Sequence, residues 1–461
     1  MSKEKMVEQK YSKGFLWRQR IGFGISDYAC NLAYLMVNTY LLIFYTDVAR
    51  LSAAAVGTMF VVTKFIDAIT DYLIGALIDR TNTKMGRNRP WMLLGTPVLA
   101  IGMVLVFTVP NFSYNGRLIW AYGTYILFSF GYTLVNIPMG SILPTLSADP
   151  VERTNIVTAR TIFSNLGSLT SASLALFLVT RLGGGDAAAG YLKTNMIFGV
   201  MVIIIMLICV FSIKEINRAP KIVKRTSILN DVKYLIKNKP YMLFLGVTFF
   251  LFVGYLGMFA AIAYYFKYIV GNEMLTSVAV SILTIVPIVS MLLSTVMNRK
   301  FSKRDITQFG TVIQLIGYAL LFFARNSIPM IYLSFTIVGF GMGFRSTMFF
   351  SMQADTTDYG EWISGRSLAG TQTAVCGFVN KLASAAASAL VAGLLAWGNY
   401  DGSLAVQSAS ANTAINIAFI GIPIVCCIAC LVIMVFYNLD KIYPQIKRDI
   451  DERRNMQKSA V

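Results

Sequence analysis

The chain has 461 residues, 56% of them hydrophobic and 13% charged, where a soluble domain carries about 25% charged residues. With a mean hydropathy of +0.63, this composition excludes the soluble globular class and implies a polytopic membrane protein that partners a lipid bilayer. Forty Lys and Arg stand against 22 Asp and Glu, a formal charge of +18. The basic residues fall between apolar runs, not in an aromatic-interleaved patch, so they read as topology and no nucleic-acid partner is expected.

From the N-terminus, MSKEKMVEQKYSKGFLWRQR has no short apolar region followed by a small-residue cleavage site, so no removable signal peptide is expected. Apolar runs then recur, punctuated by charged residues or by Pro, Gly and Asn. They predict twelve spans, at 21–46, 52–78, 91–110, 118–145, 156–180, 195–213, 241–269, 276–297, 308–325, 329–354, 370–397 and 414–437. A helix needs about 20 apolar residues to cross the hydrocarbon layer. The six cysteines (Cys30, Cys209, Cys376, Cys426, Cys427 and Cys430) all lie inside these runs and read as small packing residues. The chain has no histidine, which excludes a His-based metal site and a Ser-His triad and leaves proton handling to carboxylates, Lys or Tyr.

Basic residues mark one side of the membrane. Lys13, Arg18 and Arg20 precede span 1, Arg80, Lys84, Arg87 and Arg89 join spans 2 and 3, and 214–240 is the most basic stretch of the chain. Arg299, Lys300, Lys303 and Arg304 follow span 8, and further Lys and Arg fill the tail after 438, while the alternate loops hold singles such as Arg50 and Arg117. The positive-inside rule then places both termini in the cytoplasm of a cell inner (plasma) membrane protein, which demands an even number of spans. The basic linker, 216–240, divides an N-terminal bundle over 1–215 from a C-terminal bundle and cytoplasmic tail over 241–461. An all-α protein of twelve transmembrane helices in two six-helix bundles is the layout of the major facilitator fold, whose site lies near the midplane between bundles.

An ionisable group deep in a span costs about 2.5–3.5 kcal/mol on insertion scales, so its default reading is functional. Span 1 carries Asp27. Span 2 reads TKFIDAITDYLIGALIDR, where Asp67 and Asp71 are one turn apart and Lys64 precedes Asp67 by three, so all three share a helical face. Thr133 and Asn136 lie in span 4, Arg160 opens span 5, Arg345 is in span 10 and Lys381 in span 11. Two carboxylates one turn apart in a low dielectric need a cation, a proton or an ammonium to coexist. Thr70 adds a neutral oxygen on the same helix, and Lys64 or Lys381 balances the pair when no ion is bound. Such oxygens suit a hard cation such as Na⁺. The plainer alternative is an ion-pair network that only pins helices together.

The segment GALIDRTNTKMGRNRPW (75–91) reads as a conformational latch. Gly75 would allow close helix approach, Asp79 would cap and pair across the bundle interface, and arginines such as Arg80 and Arg87 would meet helix C-termini. QADTTDYGEWISGRS (353–367), with Asp355, Asp358 and Glu361, is its expected counterpart between spans 10 and 11. The alternative is a pair of solvated loops that only set topology.

Taken together, FYTDV (44–48), DAITD (67–71), GRNRPW (86–91), YTLVNIPMGSILPTLSADPVERTNIVTAR (132–160), ADTTDYGEW (354–362) and the downstream Lys381 resemble the glycoside–pentoside–hexuronide:cation symporter family, typified by melibiose permease. The resemblance covers nearly the whole chain. It implies a cation site at Asp67 and Asp71 helped by Thr70 and Thr133, and a grip on sugar hydroxyls by Asp27 and Arg160, with Lys381 and Lys64 matching the family's basic residues. Melibiose permease has a second sugar-binding acid where this chain has Asn136, an aromatic platform where it has Gly140, and a lysine where it has Ser26. Asn136 within VNIP is more similar to glucuronide- and xyloside-carrying members. With one fewer acid and with Arg345 in span 10, an anionic sugar such as a hexuronide conjugate enters as a hypothesis.

The resulting expectation is a cation-coupled symporter of a glycoside, pentoside or hexuronide, not an enzyme, with no cofactor beyond the coupling ion. Na⁺ is favoured over H⁺ because a proton needs only one acid. A monomer is the family expectation. Two alternatives stand beside it. One is a sugar sensor of the same fold that does not transport. The other is a polytopic membrane glycosyl-lipid transferase, for which ADTTD (354–358) is the near match to a metal-binding DxD.

Overall fold

The computed structural model describes residues 12–147, 150–216, 235–298, 300–324, 327–365 and 369–459. Among the described residues the regular elements are helices. Span 1 is α1, Lys13–Ile43, which runs into a π-helical turn at Phe44–Val48. It is followed by α2 (Ala53–Arg80), α3 (Arg89–Leu105), α4 (Tyr114–Leu146), α5 (Pro150–Gly183) and α6 (Ala187–Ser212). The second half begins with α7, Lys239–Tyr264, which also ends in a π-helical turn, Tyr265–Val270. Then come α8 (Leu275–Met297), α9 (Lys303–Ala324), α10 (Ile328–Ser364), α11 (Ala369–Trp397) and α12 (Ala409–Val435). Beyond the spans lies an amphipathic helix, α13, Leu439–Ser459. Among the described residues eleven helices are long and apolar enough to cross a membrane, and α3, with 17 residues, is a shorter apolar helix.

Local chemistry sets the ends. Side chains of Ser52, Ser113, Asp186, Asn238 and Ser408 accept hydrogen bonds from the first-turn N–H groups of α2, α4, α6, α7 and α12, satisfying donors that the helix itself cannot. Large apolar side chains such as Phe65, Ile69, Phe211 and Leu292 are exposed on the outer faces, as a lipid solvent requires. In the N-terminal bundle α1 packs on α5 and α6, and α3 on α4 and α6; in the C-terminal bundle α10 packs on α8 and α9, and α7 on α11 and α12. Among the described residues, the main helix pairs that join the bundles are α1 with α7, α2 with α11 and α5 with α8.

The structure corrects the sequence reading in one place and extends it in another. Residues 353–364 are not a loop between spans, because α10 continues to Ser364 and stops only where Gly365 takes a left-handed φ of +67°. That extension has partners: Tyr443 Oη donates to Asp358 at 2.6 Å and Trp362 Nε1 to Asp449 at 2.8 Å, both across to α13. A hydropathy reading ends span 10 where apolar residues thin out, while the backbone continues until a residue breaks it. Of the expected linker 216–240, residues 217–234 lie outside the described residues, and Lys239 already begins α7.

Candidate functional site

The face of α2 that carries Lys64, Asp67 and Asp71 meets α4 and α11. Lys64 Nζ lies 3.4 Å from Asp67 Oδ2 and 5.8 Å from the centre of the Tyr125 ring. Asp71 receives a hydrogen bond from Thr133 Oγ1 on α4 at 2.8 Å and forms an ion pair with Lys381 on α11. Lys381 Nζ also reaches the backbone oxygen of Asp67, at 3.4 Å. The two lysines therefore divide the two acids between them, one from the same helix and one from the opposite bundle. Thr70 Oγ1 turns back to the carbonyl of Asp67 at 3.0 Å. Asp67 is buried, whereas the side chains of Asp71 and Lys381 are 29% and 31% exposed, so an ion or water can reach the second acid. Carboxylate, hydroxyl and carbonyl oxygens converge here, a donor set that fits a hard cation.

One bundle interior away, Arg160 Nη2 on α5 pairs with Asp27 Oδ1 on α1 at 3.2 Å, with the guanidinium 5.7 Å from the centre of the Phe23 ring. Asn136 is half-buried on α4. Arg345 sits apart from this group. It is buried within the C-terminal bundle, where it donates to Gln314 Oε1 and approaches Cys427 Sγ at 3.7 Å and Cys430 Sγ at 4.0 Å.

The seam between α2 and α11 is not uniform. At Gly57 an added Cβ would lie 2.6 Å from the Cβ of Ala392, so only glycine permits that approach. At Gly75, about five turns further along the same helical face, an added Cβ would meet nothing within 4 Å. Gly75 is therefore not a point of close helix approach in this conformation, contrary to the sequence expectation. Asp71 and Lys381 bridge the seam between these two positions. The seam is thus closed at Gly57 and tied in the middle, and among the described residues nothing packs on the Gly75 position.

The closed end carries a network that the sequence reading did not assign. Asp47, in the π-helical turn after α1, accepts hydrogen bonds from Thr46 Oγ1 at 2.9 Å and from Tyr268 Oη at 2.6 Å, and it also pairs with Lys267 and Tyr400. Thr46 and Tyr264 share a further hydrogen bond of 2.7 Å. Four of these five contacts cross between bundles. The signal was available, since FYTDV puts an acid at the end of an aromatic apolar run, but its cross-bundle partners lie more than 200 residues away.

At the opposite end, Glu215 accepts from the backbone N–H groups of Arg87, Asn88 and Arg89 at 3.1, 2.8 and 3.2 Å, capping α3. Gly86, with φ of +109°, sits so close that a Cβ would strike the Glu215 carboxylate. Arg87 Nε donates to Ile78 O near the end of α2 and Arg89 Nε to Val210 O near the end of α6. Arg80 is exposed, Glu361 is half-buried on α10, and the Asp79 side chain lies outside the described residues. Asp355 pairs with Lys303 at 2.5 Å within the C-terminal bundle. The arrangement ties each bundle to itself at this end.

With two acids and two bases meeting in a seam between bundles, the comparison with known proteins is decisive. Residues 22–441 match the MFS/sugar transport protein family. The chain belongs to this family. It is 34% identical to the isoprimeverose transporter of Lactiplantibacillus pentosus, over 96% of this chain and 93% of that one. It is 30% identical to the inner membrane symporter YicJ of Escherichia coli (strain K12), over 89% of each. It is 29% identical to the glucuronide carrier protein homolog of the same organism, over 96% and 98%. In structure it resembles a bacterial homolog of the human lysosomal transporter Spinster, with a TM-score of 0.66, 15% identity and coverage of 95% and 98%. It likewise resembles the nucleoside transporter NupG, with a TM-score of 0.65, 14% identity and coverage of 91% and 100%. The family and its fold are those of multi-pass membrane transporters, which sets aside the transferase alternative and bears out the resemblance to glycoside–pentoside–hexuronide:cation symporters.

Proposed function

We propose that the protein is a secondary active transporter that moves a glycoside, pentoside or hexuronide together with Na⁺ or H⁺ by alternating access. It does so in the cell inner membrane, with both termini in the cytoplasm. The observation that carries this reading is the sharing of Asp71: it belongs to an oxygen-rich face fit for a cation and at the same time to an ion pair with Lys381 of the other bundle. A cation arriving at Asp67 and Asp71 replaces the ammonium groups that now neutralise them, and this frees Lys381. Asp27 and Arg160 hold sugar hydroxyls, the role that the family resemblance implies for them. Under this orientation the closed end at Gly57 and Asp47 is the outer side, which supports an inward-facing conformation. Na⁺ is favoured because two carboxylates, with Thr133 on the second of them, offer hard oxygen ligands where a proton needs only one acid.

The test is uptake into proteoliposomes across a panel of neutral glycosides, pentosides and glucuronides, with Na⁺ against K⁺ and at two pH values. Concentrative uptake that depends on one cation supports the symporter. Asp67→Asn and Asp71→Asn should abolish accumulation while downhill exchange partly survives. Intact accumulation in both variants would sink the ion-site assignment, and sugar binding without any transport would favour a sensor of the same fold.

A further inference from the structure

The C-terminal bundle is almost free of acids. None occurs in α7 with its π-helical turn, in α8, in α11 or in α12, and α9 holds only Asp305, in its first turn. In α10 the acids begin at Asp355, ten residues and about 15 Å beyond Arg345, and Asp355 is already held by Lys303. Arg345 is buried with a neutral carbonyl and two thiols as its partners; among the described residues no carboxylate lies within salt-bridge distance. The other midplane charges are matched: Asp27 with Arg160, Asp67 with Lys64 and Asp71 with Lys381. Among the described residues, Arg345 has no such match.

It also faces a cavity. A space of about 230 Å³ is lined by Arg345, Gln314 and Tyr318 from the C-terminal bundle and by Asn165 and Ser168 of α5 from the N-terminal bundle. Those two α5 residues follow Arg160 by about one and a half and two turns of the same helix, so α5 carries both the arginine of the Asp27–Arg160 pair and the N-terminal wall of this cavity. A desolvated guanidinium without a counter-charge is stabilised by an anion, and its planar fork matches a carboxylate with two parallel hydrogen bonds. A neutral sugar entering with a cation would leave two unmatched positive charges in this interior. An anionic sugar entering with a cation adds no net charge.

We propose that Arg345, oriented by Gln314, is the subsite for the anionic group of the substrate, and that the chain selects glycosides bearing a carboxylate over neutral ones. The proposal rests on the sugar-transport reading and names its substrate class. The experiment compares wild type with Arg345→Gln and Arg345→Lys in proteoliposomes, using an aryl glucuronide and the matched aryl glucoside and xyloside under one cation gradient. The ratio of kcat/KM for the glucuronide over the glucoside should fall at least tenfold in Arg345→Gln and less in Arg345→Lys. A ratio within twofold of wild type overturns the proposal, as does a wild type that carries neutral sugars and refuses the anionic one. If Arg345→Gln does not fold, Arg345→Lys decides on the same ratio: a fall supports the subsite and an unchanged ratio overturns it. A wild type that neither moves any of these sugars nor is thermally stabilised by them defeats the sugar-transport reading itself, and this proposal with it.

Discussion

Asp47→Asn isolates the closed end of the seam. The carboxylate is 4% exposed and takes four donors, of which Lys267, Tyr268 and Tyr400 come from the opposite bundle. The amide keeps the shape and some hydrogen bonds but removes the charge, leaving the Lys267 ammonium without its partner. Breaking a fully buried pair costs about 3–5 kcal/mol. Lys267 is 33% exposed and can recover part of its hydration, so about 2 kcal/mol is the appropriate figure. This loss falls only on the conformation in which the bundles meet at this end, and it shifts the equilibrium toward opening by about 30-fold. The assay is alkylation of Ala392→Cys, a position that faces Gly57 and is inaccessible when the seam is closed. The six native thiols, all buried, are first replaced. A membrane-impermeant maleimide should label the Asp47→Asn protein about 30 times faster than its Asp47 parent in the same background. A rate within threefold of the parent would refute the claim that this network holds the end shut.

Three further outcomes follow from the same geometry. Gly57→Leu drives a side chain into Ala392, which lies at 2.6 Å from a mere Cβ; the same alkylation should accelerate at least tenfold, and unchanged labelling would show that the seam relaxes around the clash. Lys381→Met removes the ammonium that competes for Asp71, so cation affinity, read by cation-dependent thermal stabilisation, should rise several-fold while concentrative uptake is lost; weaker cation binding would mean that Lys381 supports the site instead of competing for it. Glu273, between α7 and α8, is held above the ordinary carboxylate range by burial, with Lys267 opposing and Asp47 adding to the shift. The folded chain therefore keeps this proton to higher pH than the unfolded chain. The resulting stability is complete below about pH 4.3 and is lost as the pH rises through the folded value. Glu273→Gln should gain in melting temperature over wild type between pH 4 and pH 7, and a constant difference across that range would refute the assignment.

The spans were legible because a bilayer demands long apolar helices and each one announces itself within its own sequence. The face shared by Lys64, Asp67 and Asp71 was legible for the same reason, since residues three and four apart on a helix are neighbours whatever surrounds them. What could not be read was contact between distant helices. Helical spacing left both lysines as candidate counter-charges, and only the packing of α2 on α11 assigns Lys64 to Asp67 and Lys381 to Asp71. Asp47 escaped notice because its cross-bundle partners lie in the turn after α7 and in the segment after α11. Gly75 misled because a small residue permits close approach without requiring it.

Asp71 also explains why a cation and a change of bundle arrangement should be linked at all. A cation bound at a site separate from the seam would stabilise both arrangements equally and drive nothing. Under the proposed mechanism the cation and Lys381 compete for the same carboxylate, which Lys381 reaches across the α2–α11 seam. Ion occupancy would then weaken this inter-bundle contact and free the Lys381 ammonium. The coupling is reciprocal by necessity: whatever draws Lys381 away from Asp71, a sugar oxygen included, must tighten cation binding by the same factor.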